Sequence, residues 1–375
     1  MEATQVFTSK NKIQHQIGWL GTPIQPHQAI VYTKSAAGTF DVPINLKAPL
    51  RSDYIPNQGY IFDINQVINN CHLYQDNALP STQEGLIRRV QGLLYPFQVQ
   101  TKTYQLDAEI STSSTFFVLN GLLKNRLFIQ ENHNFFSLSD GTQKRFISTA
   151  PSEKITDINS NEYLYFLLNY QQLPESVEVH VLAIFEDSNK PPETFILSEI
   201  TGLRENDLIL LNVSAQNVLS NVNSSEPVQE YVITLRANNI IISEAKTYII
   251  DPQTQEQTCN LLYRNQLGVF ETARFTAERD EYIEFSVDSF GANNQSIDYY
   301  SESVTKLNLR TGYLQKDWLR HLIEEITASK EIYWLRGKDR IRLAHTGKNL
   351  KIYDTKTIQE SATFEFKIAQ TDIHQ

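Results

Sequence analysis

Cysteine is scarce in this chain. Its 375 residues include two, Cys71 and Cys259, which lie far apart in the sequence. So few cysteines exclude a small disulfide-stapled scaffold and a cysteine-rich zinc site. We expect two buried free thiols, because free cysteine packs as a small apolar residue, with a long-range disulfide as the alternative.

Several other features are sparse or missing. The 14 glycines and 13 prolines are too few for a collagen-like fibre or a low-complexity stalk. No window reaches the ~20 apolar residues of a membrane-spanning helix. The N-terminus, MEATQVFTSK, lacks a basic region followed by an apolar one. We therefore expect no secretory signal and synthesis in a cytoplasm.

The charge balance argues against nucleic acid as a partner. The formal net charge is −10, and the 33 lysines and arginines are scattered along the chain. Binding to phosphates depends on clustered basic side chains that release counterions. The same scatter argues against anionic membrane surfaces.

The common catalytic motifs are missing too. No glycine-rich dinucleotide loop, phosphate-binding loop or nucleophile elbow occurs, so no cofactor is predicted. His321 with Glu324 and Glu325 resembles part of a zinc helix, but the second histidine is missing, and we interpret this segment as a solvated or interface face. The isolated histidines His133, His180 and His345 have no placed partner. We therefore predict no catalytic, cofactor-binding or metal-binding residue and no enzymatic activity.

What the chain does contain is a recurrent strand pattern. Short runs of alternating apolar residues, rich in Val, Ile, Tyr and Phe, stand between polar breaks. Examples are Phe97–Leu106, Val177–Phe185 and Glu230–Ala237, and the Asn238–Asn239 pair after the last of them suits a tight hairpin. This pattern predicts a mainly β protein with two β-sandwich domains of immunoglobulin-like or fibronectin-like type.

A small α+β unit is predicted at the C-terminus. Gly312–Ser329 carries one amphipathic stripe, and Arg336–Asp339 has the composition of a hairpin turn. We expect the helix to pack on a small antiparallel sheet. The predicted domains are residues 1–155 (N-terminal sandwich), 156–300 (second sandwich) and 301–375 (helix plus sheet). The helix stripe consists of Leu314, Trp318, Leu319, Leu322, Ile323 and Ile326.

Two surface features suggest contacts. The predicted hairpin is basic and is a candidate interface element; its basic residues are Arg336, Lys338, Arg340 and Arg342. Tyr299 and Tyr300 lie in a stretch that reads as a polar loop, ANNQSIDYYSES, where they can stack on a sugar ring. The alternative, which we favour, is that such aromatic residues pack in a core or a protein interface.

Four segments carry a family resemblance. They are Ile61–Ile68, Leu261–Phe275, Gly312–Leu335 and Ser361–Thr371. As an ordered set they resemble motifs of tail-associated structural proteins from bacteriophages and prophages of Bacteroidetes-type bacteria. This chain departs from the family's Leu-Gly-Gly turn at Val269, so we expect a less sharp turn, because Val resists positive φ.

The resemblance implies a role in virion assembly. We expect a non-enzymatic tail or baseplate component that binds other virion proteins, as a homo-oligomer or hetero-oligomer in a ring or tube. It is expected to assemble in the bacterial host cytoplasm and reside in the virion. The alternatives are a carbohydrate-binding module for host-surface attachment and a polysaccharide-degrading enzyme, which would need two carboxylates in a cleft.

Overall fold

The structure, a computed structural model, is mainly β, as the strand pattern predicts. In the part of the chain that it describes, no helix is long and apolar enough to cross a membrane. The residues described are 6–8, 14–17, 27–33, 42–45, 54–55, 59–64, 77–81, 84–103, 108–112, 116–119, 121–122, 136, 143–170, 172–204, 206–252, 258–292, 295–337, 339–347 and 361–369.

The N-terminal strands form two sheets. One has the order β1-β10-β8-β3-β4, with β9 paired to β8, and the other has the order β2-β6-β5. Residues 97–103 of the predicted strand Phe97–Leu106 belong to β8, whereas the rest of that prediction and Cys71 lie outside the described residues. The bounds are β1 Val6–Thr8, β2 Gln14–Ile17, β3 His27–Thr33, β4 Val42–Asn45, β5 Tyr54–Ile55, β6 Gly59–Asp63, β7 Ile87–Val90, β8 Leu94–Thr103, β9 Ala108–Thr112 and β10 Phe116–Leu119.

The middle of the chain forms a β-sandwich. One sheet has the order β11-β18-β16-β13-β14, with β17 paired to β16, and the facing sheet has the order β12-β15-β7. Strand β7 comes from the N-terminal third of the chain and completes the second sheet by pairing with β15. The bounds are β11 Glu153–Thr156, β12 Tyr163–Leu168, β13 Ser176–Phe185, β14 Glu193–Thr201, β15 Asp207–Asn212, α1 Ala215–Leu219, β16 Val228–Ala237, β17 Ile240–Ile241 and β18 Lys246–Ile250.

Strand β12 is buried on both faces. Leu164, Phe166 and Leu168 belong to the core between the two sandwich sheets. Tyr163, Tyr165 and Leu167 point the other way, into a second core shared with residues from both flanking regions. A strand buried on both sides needs a continuous apolar run, which explains the sequence YLYFLL.

The last third of the chain forms a seven-stranded sheet with one helix. The strand order is β20-β19-β23-β24-β25-β22-β21. Helix α2 lies within the predicted Gly312–Ser329 segment, and its apolar stripe packs on one face of the sheet. The bounds are β19 Cys259–Arg264, β20 Phe270–Phe275, β21 Arg279–Ala292, β22 Gln295–Arg310, α2 Lys316–Ala328, β23 Ile332–Arg336, β24 Asp339–His345 and β25 Thr363–Ile368.

Sheet membership does not follow the predicted domain limit at residue 300. Strand β22 runs through that position, and β19 to β21 pair with strands that follow it. We therefore use "sandwich" for residues 143–252 together with β7, and "C-terminal unit" for residues 258–369. The domain limits themselves stay a prediction.

Candidate docking surfaces

The predicted basic hairpin forms, but its basic residues point in different directions. Strands β23 and β24 pair with Arg336 opposite Asp339, and Gly337 takes the positive φ of 62° that the turn requires. Arg340 pairs with Leu335 and Arg342 with Tyr333. These lie on the face opposite α2, whereas Arg336 shares the face of Trp334, because side chains alternate along a strand.

The surroundings of these arginines also differ. Arg336 is exposed, and its guanidinium carbon lies 5.4 Å from the centre of the Trp334 ring. Arg340 is half-buried and donates a hydrogen bond to the carbonyl oxygen of Pro80. Arg342 is exposed, and Lys338 lies outside the described residues. The three described arginines of the hairpin do not form one continuous basic surface, and the hairpin's role as an interface stays a prediction.

A long two-stranded ribbon extends from the C-terminal sheet. Strands β21 and β22 pair from Arg279 opposite Leu309 to Ala292 opposite Gln295. Strand β25 pairs with β22 over residues 306–310 alone. In the described part of the chain, residues 283–292 and 295–305 therefore have only each other as strand neighbours. At ~3.3 Å per residue, this ribbon is about 30 Å long.

Tyr299 and Tyr300 belong to this ribbon and not to a loop, so the interpretation of their segment as a polar loop is wrong. Tyr300 pairs with Asp288, and the register shifts so that Ser289 pairs with Asp298. Tyr299 is thus the extra residue of a β-bulge, which increases the local twist. Polar residues in ANNQSIDYYSES are compatible with a strand because a two-stranded ribbon is not buried in a core.

The base of the ribbon exposes large apolar side chains. Ile283 is 54% exposed and Phe285 is 71% exposed. They lie on the same face of the strand pair as Leu307 and Leu309, because Glu281 is opposite Leu307 and Arg279 is opposite Leu309. Leu307 and Leu309 are buried beneath α2. The apolar face of the sheet therefore continues outwards beyond the part that is covered.

The ribbon is also acidic. Residues 283–305 contain Glu284, Asp288, Asp298 and Glu302 and no lysine or arginine. At its base, Lys306 Nζ lies 2.8 Å from Glu284 Oε2 and 3.1 Å from Glu365 Oε1. An exposed apolar row within acidic surroundings is a candidate contact surface for another protein.

A surface groove lies where the sandwich meets the C-terminal unit. Its volume is about 230 Å³, and its lining includes Ile155, Arg274, Tyr313 and Trp318. The side chain of Tyr313 is 70% exposed. Trp318 Nε1 donates a 2.5 Å hydrogen bond to the carbonyl oxygen of Glu153, so its indole is held at one side of the groove.

Beneath the groove, charged groups join the two units. Lys154 of the sandwich forms an ion pair with Glu162 and donates hydrogen bonds to the carbonyl and hydroxyl oxygens of Thr272, at 2.8 and 2.7 Å. The Thr272 hydroxyl in turn donates to Glu162 Oε2 at 2.7 Å. Glu162 is buried, so these contacts compensate the loss of its hydration.

A second buried network centres on Glu271. His321 Nε2 lies 3.2 Å from Glu271 Oε2, the Tyr263 hydroxyl donates to the same oxygen at 2.9 Å, and Asn265 donates to Oε1 at 2.7 Å. Burial alone would raise the pKa of Glu271. Hydrogen bonding and charge from His321, followed by Asn265 and Ser148, outweigh burial and lower this pKa to about 2.

The α2 segment that resembles part of a zinc helix therefore contributes to packing within the chain. His321 and Glu325 are both buried. Glu325 accepts hydrogen bonds from the Gln266 backbone amide at 2.7 Å and from the Thr149 hydroxyl at 3.2 Å. A solvated face is therefore wrong for these two residues, and contact of this segment with another protein stays a prediction. Among the described residues, no group of three or more His, Cys, Asp or Glu is arranged to hold a metal ion.

The cavity inside these networks is small. Lys154, Glu162 and Glu271 all line a space of about 30 Å³, which is room for about one water molecule. Sequence reasoning missed Glu162 and Glu271. The available signal was a carboxylate directly before the apolar run of β12 and another within β20, since a charged residue in a buried strand needs a partner.

The remaining polar positions have local roles. His180 Nε2 lies 2.7 Å from Glu178 Oε2. Burial lowers the pKa of His345, against the opposing charge of Glu365. Cys259 is a buried free thiol, as predicted, and burial raises its pKa to about 12. His133 lies outside the described residues.

The turn between β19 and β20 also differs from the expectation for Val269. Gly268 adopts the positive φ of 91°, and Val269 follows it as a buried residue. The Val269 amide donates to Asn265 Oδ1 at 3.1 Å, and the Gly268 amide donates to the Asn265 carbonyl oxygen at 3.0 Å. The turn is therefore tight despite Val269, because one glycine supplies the required backbone conformation.

Comparisons with known proteins give little similarity. No protein-family model matches the chain, and no curated protein matches it. Among solved structures, it is similar to extracellular domains 3–5 of Drosophila OTK, at 10% sequence identity, over 91% of this chain and 92% of that chain, with a TM-score of 0.20. A likeness of this size carries no argument about fold or function.

Proposed function

We propose that the protein is a non-enzymatic structural component of a phage tail or baseplate that acts by docking to neighbouring proteins. The observation that carries the proposal is the ribbon of β21 and β22, with Ile283 and Phe285 exposed at its base. Two strands alone are marginally stable in water, so a ribbon of this length gains stability when a partner covers it. The virion setting comes from the sequence resemblance.

The buried charges support docking over catalysis. The buried carboxylates of Glu162 and Glu271 pair with Lys154 and His321, so both carboxylates are occupied by contacts within the protein. The space that Glu162 and Glu271 share is about 30 Å³, far smaller than the several hundred Å³ of ordinary ligand pockets. A glycosidase would instead require two carboxylates facing a substrate-sized cleft.

Removal of the ribbon tests the proposal. Residues 285–303 are replaced by Asn-Gly, which favours the tight turn of a two-residue hairpin. The shortened protein should fold normally but be missing from purified tails or baseplates of the phage or prophage that encodes it. Ile240→Glu, at an exposed hairpin on the sandwich, is the control and should be incorporated normally. Incorporation of the shortened protein at the normal level would contradict the role of the ribbon, and absence of the unaltered protein from all particles would contradict the virion function.

The groove favours a second candidate function, glycan binding for host-surface attachment. Tyr313 and Trp318 flank a space of about 230 Å³ that also contains Arg274, and aromatic faces beside polar groups suit sugar rings. Binding on a glycan array that is lost in Tyr313→Ala would support it. The variants Tyr299→Ala and Tyr300→Ala test the site suggested by sequence. No bound glycan, or binding unchanged in all three variants, would remove this candidate.

A further inference from the structure

Strand β21 is an edge strand of the C-terminal sheet as far as the structure describes it. This strand ends the seven-stranded sheet, and within the described chain no other strand pairs with its outer side. It has 14 residues, RDEYIEFSVDSFGA, whereas the mean strand has ~5–6. Exposed edges are normally blunted by charged side chains (above all lysine), by proline, by bulges or by short length. β21 has no proline or lysine, its charged residues beyond Glu281 are Glu284 and Asp288 alone, and the bulge of the ribbon lies in β22.

We propose that this edge pairs with the same edge of a second copy of the chain. The two β21 strands would run antiparallel about a two-fold axis that passes beside Phe285. The pairs would be Phe285 with Phe285 of the second copy, Glu284 with Ser286, Ile283 with Val287, Tyr282 with Asp288, Glu281 with Ser289 and Asp280 with Phe290.

Symmetry restricts the choice of register. With a two-fold axis perpendicular to the sheet, the same face of both copies lies on the same side of the joined sheet. Residues directly opposite each other in an antiparallel pair also have their side chains on the same side. Only residues separated by an even number of positions can then lie opposite each other. The axis must therefore pass beside a residue, and the central candidates are positions 283 to 287 of β21.

Charge and apolar matching select position 285. An axis at Glu284 would oppose two copies of that carboxylate, and an axis at Ser286 would oppose Glu284 to Asp288, both of which are repulsive. Axes at Ile283 and Val287 give shorter overlaps and place the exposed Phe285 opposite Glu281 or Ser289. The axis at Phe285 opposes no like charges and overlaps 13 of the 14 residues, 279–291. It also places Phe285 opposite its own copy and Ile283 opposite Val287.

The contact would cover the side chains that the single chain leaves open. Ile283 and Phe285 are 54% and 71% exposed, and both lie in apolar pairs in this register. Such a contact uses the same surface on both copies and closes as a dimer, so a ring or tube would need a further contact. This pairing partly rests on the proposed function, and it specifies one docking contact, the one between two β21 strands.

The oligomeric state of the full chain tests the pairing first. Size-exclusion chromatography with light scattering should give a dimer for the unaltered protein. Phe285→Glu places two carboxylates opposite each other at the axis and should raise the dimer dissociation constant about tenfold or more. The matched control is Ile196→Glu, at a residue of edge strand β14 that is 50% exposed, and it should remain dimeric. Circular dichroism of both variants checks that they fold.

Disulfide trapping then tests the register. Phe285→Cys should form a disulfide with its own copy under mild oxidation. Ile283→Cys alone should not, because the two copies of position 283 would be about 13 Å apart along the strands. An equimolar mixture of Ile283→Cys and Val287→Cys should form a mixed disulfide, mapped by mass spectrometry.

The outcomes separate the two proposals. A monomer at every concentration tested, or a dimer whose disulfides map to other positions, would overturn the β21 pairing. If that monomer is still found in tails or baseplates, the proposed function survives without this contact. A dimer with the stated disulfides that is never found in particles would retain the pairing and contradict the virion function.

Discussion

The interface between the sandwich and the C-terminal unit contrasts with the ribbon of β21 and β22. At this interface, the buried Glu162 is paired with the half-buried Lys154. Glu271, which lines the same small cavity, is buried and paired with His321 within the C-terminal unit. In the ribbon, apolar side chains are exposed and a strand edge has no partner within the described residues. The first surface has its partner in the same chain, whereas the second is the one that we propose to bind a partner, because it exposes apolar side chains.

This contrast leads to different expectations for mutations. Removing one member of a buried pair leaves a desolvated charge, which is costly to the folded state of a single chain. Changing an exposed apolar residue leaves the folded chain nearly unaffected and acts on association instead. Stability and association can therefore be measured separately for the two surfaces.

The largest expected effect is at His321. His321→Ala leaves Glu271 buried without its partner and should lower the free energy of unfolding by about 3–5 kcal/mol. Chemical denaturation measures this change. The control is Arg320→Ala, which removes an exposed pair with Glu324 on the same helix and should cost within about 1 kcal/mol.

A double variant distinguishes the unpaired charge of Glu271 from the loss of packing at His321. Adding Glu271→Gln to His321→Ala removes the unpaired charge and should recover part of the lost stability. If the double variant is as unstable as the sum of the two single changes, the pair makes no coupled contribution, and loss of packing alone explains the effect of His321→Ala.

The second-largest expected effect is a loss of folding stability at low pH. The pKa of Glu271 is lowered from its ordinary 4.5 to about 2, so the unfolded chain takes up a proton first as the pH falls. The stability from this group is complete above pH 4.5 and is lost as the pH falls to about 2, and it amounts to about 3 kcal/mol.

Denaturation curves recorded from pH 5 to 2 measure the slope of the free energy of unfolding against pH. In Glu271→Gln the total fall over this range should be smaller by about 3 kcal/mol, because the variant has no group that titrates at this position. An unchanged slope in Glu271→Gln would show that other carboxylates account for the acid sensitivity, and that the network around His321 does not stabilise the ionised Glu271.

Local features of the fold could be predicted from the sequence. The apolar stripe of Gly312–Ser329 placed helix α2 to within a few residues, because a helix with one buried face must repeat its apolar positions. The turn at Arg336–Asp339 followed from its composition. The Asn238–Asn239 hairpin also formed, and both asparagines have positive φ, at 51° and 63°.

Long-range features could not be predicted in this way. Nothing in the local pattern of Ile87–Val90 indicates that it pairs with β15, more than a hundred residues later. The partners Glu162 and Thr272 are 110 positions apart, so their contact depends on how the units pack. The outer part of β22 was interpreted as a loop because its residues are polar, whereas a two-stranded ribbon held by cross-strand pairing does not require apolar alternation.

The smallest effect on folding is expected at Phe285, where substitution should instead have its largest effect on dimerisation. Phe285→Ser removes a side chain that is 71% exposed and should change the free energy of unfolding by within about 0.5 kcal/mol. Leu309→Ala, in strand β22 but in the core beneath α2, should cost about 2–5 kcal/mol. Because dimerisation also stabilises the folded state, both variants are compared with the unaltered chain at concentrations where it is monomeric. A large loss of stability for Phe285→Ser under those conditions would mean that the ribbon already has its partner within the chain, and the contrast between the two surfaces would fail.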